Sequence, residues 1–176
     1  MTAREESIRR LRRCIVLVML GSLTFLSDLL MEFLPNIHLV AVLITVCTVV
    51  YRSWALIAVY VYVFLTALYS GGLWWLPYLY IWTVLWAVVM LLPRRLPRKL
   101  SVVIYGGVCA LHGFAFGILY APGQAWMFGF SFEQTLAWIA AGFPFDVMHG
   151  VGNAVLSVLI LPLSELLNKL EGNREM

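Results

Sequence analysis

Basic residues are missing from most of this chain. Its twelve Lys and Arg residues are Arg4, Arg9, Arg10, Arg12, Arg13, Arg52, Arg94, Arg95, Arg98, Lys99, Lys169 and Arg174. None therefore falls between Ser53 and Pro93, or between Leu100 and Asn168. A soluble surface needs Lys and Arg to stay wetted, so gaps of this length exclude one. Charged residues of both signs make up 12% of the chain, against about a quarter in soluble domains. Cysteine is scarce as well. Cys14, Cys47 and Cys109 are far apart, lie inside apolar runs and show no metal or redox spacing. There is no Walker A pattern, no His-Glu-x-x-His and no Gly-x-Ser-x-Gly, which removes the sequence signatures of nucleotide-driven transport, of zinc proteases and of serine hydrolases.

What remains is 62% hydrophobic. Apolar runs separated by short basic segments are the pattern of a polytopic membrane protein, in which cytoplasmic loops retain Lys and Arg. The net charge of +3 is then a topology signal and not a nucleic-acid footprint. The expected fold is all-α: one membrane domain of six transmembrane helices with both termini cytoplasmic, in the plasma membrane. Residues 1–13 form a basic cytoplasmic tail that could itself be an amphipathic helix. The expected spans are 14–34, 37–50, 54–70, 76–92, 100–120 and 144–170, with an outer segment at 121–143 and a cytoplasmic tail at 171–176. Pro144 in the first turn suits the start of the sixth helix. Residues 131–142 are too short to cross, and a seventh span there would place the termini on opposite sides. The apolar run after Cys14 is too long for a signal-peptide core, so it is expected to remain as the first helix.

Ionisable residues inside such a chain cost a few kcal/mol each, about 3 on the insertion scale, and are functional suspects by default. They are Asp28, Glu32, His38, His112, Glu133, Asp146 and His149. Asp28, Glu32 and His38 fall at outer helix ends, with His38 expected at the interface. Glu133 reads as an outer-loop charge. Asp146, His149 and Asn153 are spaced i, i+3 and i+7, which puts them on one helical stripe. A carboxylate, an imidazole and an amide together can read a polar heterocycle, or they can bond to each other and to nearby backbone. His112 lies beside Gly113, and with Gly117 four residues on, that helix can approach a neighbour closely. His112 could bond across that contact or reach the same cavity. Trp74, Trp75 and Trp126 suit an interfacial belt. Tyr78, Trp82 and Trp86 run deeper along one helix face, where they suit either a belt or a surface on which a flat ligand stacks.

The segment Gly142-Phe143-Pro144-Phe145-Asp146-x-x-His149-x-x-x-Asn153, followed by an apolar run to Leu161-Pro162-Leu163, resembles the last helix of the substrate-binding S components of energy-coupling factor (ECF) vitamin transporters. The basic N-terminus leading into Ile15-Val16-Leu17-Val18-Met19-Leu20-Gly21 resembles their first helix. In length and topology the resemblance covers essentially the whole chain. It implies an S-component-like bundle that captures a vitamin or related micronutrient at the outer face. It also implies a transmembrane coupling subunit and two ABC ATPases as partners. By position, Asp146, His149 and Asn153 would bind the ligand, with Tyr78, Trp82, Trp86 and Trp126 closing the site, and His112 joins the expected site as a residue that could reach the same cavity. Val18, Gly21 and Ser22 stand where the family often has an Ala-x-x-x-Ala patch for docking the coupling subunit, and only part of that small-residue pattern survives. The connection between the first two helices is short, so little of a lid is expected from it.

No catalytic residue, resident metal or cofactor is expected, and the chain reads as a non-enzyme. Two other classes stay open. One is a membrane scaffold of similar fold with no small ligand. The other is an intramembrane metal-dependent enzyme using Asp146 and His149 with Glu133 or His112.

Overall fold

The computed structural model describes residues 2–94 and 96–172. Arg95, Arg174 and most of the expected tail at 171–176 lie outside the described residues. The protein is 84% helical, with no strand among the described residues. The helices are α1 (Ala3–Leu30), α2 (Val40–Tyr51), α3 (Leu56–Ser70), α4 (Tyr78–Leu91), α5 (Arg98–Phe114), α6 (Phe116–Phe128), α7 (Phe132–Leu156) and α8 (Ile160–Leu170). By length and composition, four continuous helical runs could cross a membrane: Ala3–Leu30, Val40–Ser70, Arg98–Phe128 and Phe132–Leu170; Tyr78–Leu91 is a shorter apolar helix.

The run from Val40 to Ser70 is not one rod. His38 and Tyr62 would be about 36 Å apart along a straight helix, yet both rings lie against Trp82, with centroids 6.1 and 5.9 Å away. The chain therefore reverses at Arg52, which adopts φ 56° and begins a single 3-10 turn, Arg52–Ala55. The Arg52 guanidinium donates to the Met90 carbonyl at 2.6 Å, and Trp86 Nε1 donates to the Arg52 carbonyl at 3.2 Å. These bonds tie the reversal to the end of α4.

Several expected boundaries move. The basic tail at 1–13 is not separate from the first helix. α1 starts at Ala3 under a capping box, in which Thr2 accepts from the Glu5 amide and Glu5 accepts from the Thr2 amide. α1 ends at Leu30 rather than 34, and α2 begins at Val40 rather than 37. The helix expected over 100–120 runs on through Ala121-Pro122-Gly123 to Phe128, interrupted only at Ala115. The outer segment at 121–143 is thus helical on both sides of a turn at Gly129. Pro144 does not start the last helix. It sits in the middle of α7, whose start at Phe132 is fixed by a second capping box of Ser131 with Gln134. A proline removes one donor, and a helix packed among others tolerates that loss.

α5 and α7 are held together along a glycine seam. A Cβ at Gly113 would lie 2.8 Å from the Gly150 backbone, and one at Gly106 would lie 2.8 Å from Ser157 Oγ. Small residues here let two backbones touch. The core beside them is filled by Val40, Val59, Trp82, Leu85, Val89 and Ile160.

Several of the described basic residues gather at one end. Arg12 donates to the Leu170 carbonyl at 3.4 Å, Arg13 lies over the Trp54 ring, and Arg98 pairs with Glu165 at 3.4 Å. Arg52 is at the same end, so the first and last described helices meet where the basic turns are.

Candidate functional site

At the opposite end the bundle encloses a cavity of about 290 Å³. Its mouth is the end of α1 and the connection to α2. Glu32 is exposed there, and Asp28, one turn earlier, is half-buried. Both carboxylates are held by tyrosines of α3. Tyr62 donates to Asp28 at 2.8 Å, and the exposed Tyr69 donates to Glu32 at 3.2 Å. Asp28 is in the last turn of α1 and Glu32 in the turn just beyond it, and Tyr62, Thr66 and Tyr69 are at matching spacings on α3. Each set therefore faces the same space.

The floor is aromatic. Tyr62 and Tyr78 lie nearly parallel, at 13° with centroids 6.5 Å apart, and Phe116 packs edge-on to Tyr78. His149 also lines the cavity and is 2% exposed. Its ring lies 4.7 Å from both His38 and Phe116. Neither His149 Nε2 nor His38 Nδ1 has a hydrogen-bond partner, although both atoms are buried. Buried polar atoms without partners are rare in settled cores, and two of them beside one cavity mark a place where a ligand atom can bond.

The residues expected to form the site separate into three groups. Tyr78 and His149 line the cavity. Trp82 and His112 form the packing behind it. Trp82 is 1% exposed and lies 5.3 Å from the His112 ring, and His112 Nε2 donates to the Ile81 carbonyl at 3.1 Å. The remaining four lie elsewhere. Asp146 accepts from the Gly117 amide at 2.9 Å, and Gly117 leaves no room for a Cβ beside that carboxylate. The break at Ala115 frees amides at the start of α6, and Asp146 satisfies one of them. Asn153 Nδ2 donates to the Cys109 carbonyl at 3.0 Å across the glycine seam. Trp86 belongs to the Arg52 turn, and Trp126 is 78% exposed. The i, i+3, i+7 stripe is real, but α6 takes up its carboxylate and α5 the Asn153 Nδ2. Asp146→Ala should consequently cost about 1 kcal/mol of stability, the usual value of a lost helix cap, without weakening ligand affinity. Thermal unfolding with and without ligand checks both.

Asp28, Glu32 and His38 line the cavity as well, and the connection between α1 and α2, at residues 31–39 longer than expected from the sequence, supplies much of its wall, including Leu34, Asn36 and Ile37. The readable signal was the spacing Phe25, Asp28, Glu32 on the first helix against Tyr62, Thr66, Tyr69 on the third.

Comparison with protein-family models, curated proteins and solved structures finds no match to this chain.

Of the three residues expected to dock a coupling subunit, Gly21 is committed to the protein's own interior. A Cβ there would meet the Ala58 carbonyl at 2.6 Å, so Gly21 sets the α1–α3 approach. Ser22 bonds back to the Val18 carbonyl, and Val18 is 44% exposed on the outer face of α1. No group of three or more His, Cys, Asp or Glu able to hold a metal occurs among the described residues.

Proposed function

We propose that this chain is a membrane-embedded substrate-binding protein of the S-component kind, which captures a small micronutrient at the outer face. It would deliver that compound inward with a coupling subunit and two ABC ATPases. The observation carrying this reading is the cavity at the end away from the basic residues. If the basic end is cytoplasmic, as the distribution of Lys and Arg favours, the cavity opens outward. Its mouth is polar, its floor aromatic, and no charge continues from it toward the other end. α2, α3 and α4 contain no Asp, Glu, Lys or Arg. A carrier driven by protons on its own would need a carboxylate near mid-depth. A binder that relies on partners for energy does not. The volume is at the small end of ligand sites, which suits a vitamin precursor or another compact heterocycle.

The test is thermal stability of the purified protein in detergent against B vitamins, their precursors and nucleobases. One compound should raise the midpoint by several degrees, because a ligand that binds only the folded state stabilises it. A flat response to the panel and to total micronutrient extract would leave the scaffold reading. That reading is favoured by the structural roles of Asp146 and Asn153.

A further inference from the structure

We infer that the cavity selects an organic cation with a flat or apolar body. Glu32 would act as the outer collecting charge and Asp28 as the residue that holds the cationic group. This inference rests on the reading of the cavity as a ligand site and specifies its substrate class.

Four observations converge. Asp28, in the last turn of α1, and Glu32, in the turn that follows it, line the same cavity, and two ionised carboxylates this close in the chain repel each other. Neither is in an ion pair. The pairs among the described residues are Arg10 with Glu6 and Arg98 with Glu165, and no Lys or Arg lines the cavity. Second, Asp28 stands in the last turn of α1 and Glu32 just past its end, where the carbonyl end of the helix adds negative potential, and that last turn carries no basic residue to offset it. Third, the floor is lined by the aromatic rings of Tyr62, Tyr78 and Phe116, and aromatic rings attract a cation through their quadrupoles. Fourth, His149, 2% exposed with Nε2 unpartnered, is one more polar side chain at the floor. As the Nδ1–H tautomer it would accept a hydrogen bond from a ligand N–H.

The order of burial gives the site a direction. Glu32 and Tyr69 are exposed, Asp28 and Thr66 are half-buried, and Tyr62 and His149 are buried. A cation would meet Glu32 first and then pass to Asp28, where it relieves the repulsion between the two carboxylates. Anions would be turned away at the mouth. Focusing of this kind in a cleft of one sign raises the local concentration of the opposite charge.

Thiol labelling tests the charge selection without knowledge of the ligand. Thr66 lines the cavity and is close to cysteine in size. Thr66→Cys is placed in a Cys14→Ser background, in which Cys47 and Cys109 are buried. It is treated with trimethylammonium-ethyl, sulfonato-ethyl and neutral methyl methanethiosulfonates, with rates normalised to a free thiol in solution. The cationic reagent should react about tenfold or more faster than the anionic one. Benzyltrimethylammonium should protect the thiol, whereas benzyl alcohol should not. Asp28→Asn keeps an oxygen to accept from Tyr62, so it should fold, and it should remove the protection. Glu32→Gln should narrow the rate difference with less effect on protection. Equal rates for both signs, or equal protection by benzyl alcohol, would overturn the cation assignment while leaving a ligand cavity in place. No labelling by any reagent would overturn the cavity itself as an accessible site.

Discussion

Gly113→Leu will force α5 away from α7 and destabilise the protein by about 3 kcal/mol, the upper range for overpacking a close-fitted contact. A Cβ alone at Gly113 would stand 2.8 Å from Gly150 Cα and N and 2.9 Å from Asn153 Nδ2. Backbone cannot rotate aside as a side-chain tip can, so the helices must separate. Separation also breaks the Asn153 bond to the Cys109 carbonyl and withdraws α7 from its place behind the cavity floor, where His149 lies. The same helix contains its own control. Gly107 has nothing within 4 Å of its Cβ position, and Gly107→Leu should leave the unfolding midpoint nearly unchanged. Thermal or detergent-denaturant unfolding of the two variants side by side reads the difference. Equal midpoints would mean that α5 and α7 do not approach this closely.

The second large effect concerns binding. Thr66→Trp should fill the cavity from the α3 wall and weaken ligand binding up to about a hundredfold, as an overpacked contact of up to about 3 kcal/mol would, with the folding midpoint held or raised. Thr66 is half-buried, and its hydroxyl bonds to Tyr62, whose carbonyl one turn back accepts from it, so little of the structure beyond α3 depends on it. Isothermal titration with whichever compound stabilises the protein measures the loss. The variant separates two locations for the site. A site along Asp146 and Asn153, neither of which lines the cavity, would be untouched by a tryptophan on α3. A site between α1 and α3 would be closed by it. Retained affinity in Thr66→Trp would therefore return the site to the α7 stripe.

Much of this could be read from the residues in order. Apolar runs broken at Arg52, at Gly71 and at Pro93–Pro97 are visible without coordinates, and each is a break in the structure: a positive φ at Arg52, a left-handed cap at Gly71, an unwound stretch before Arg98. The two capping boxes were equally legible. Thr2-x-x-Glu5 and Ser131-x-x-Gln134 are the pattern that starts a helix, and the second outweighs Pro144 as the start of α7. Proline is a strong signal for helix ends in water. It is a weak one inside a bundle, where neighbouring helices can compensate its missing donor.

The site was only half legible. Ionisable and aromatic residues could be picked out as a set, because a charge in an apolar run stands out whatever it does. Which of them share a space is a different matter, decided by how helices far apart in the chain are packed. Asp146 and Asp28 look alike in sequence. The break at Ala115 turns one into a cap for the Gly117 amide, while the packing of α1 beside α3 leaves the other at the wall of a cavity.

The sequence by itself determined that this chain is all-helical and that its long apolar helices suit a membrane. Those properties follow from composition and periodicity, which act locally on each segment. Only the tertiary structure decided where the polar groups converge. Burial, partnering and empty space depend on which helices touch, and that was settled by the glycine contacts of α5 with α7 and of α1 with α3.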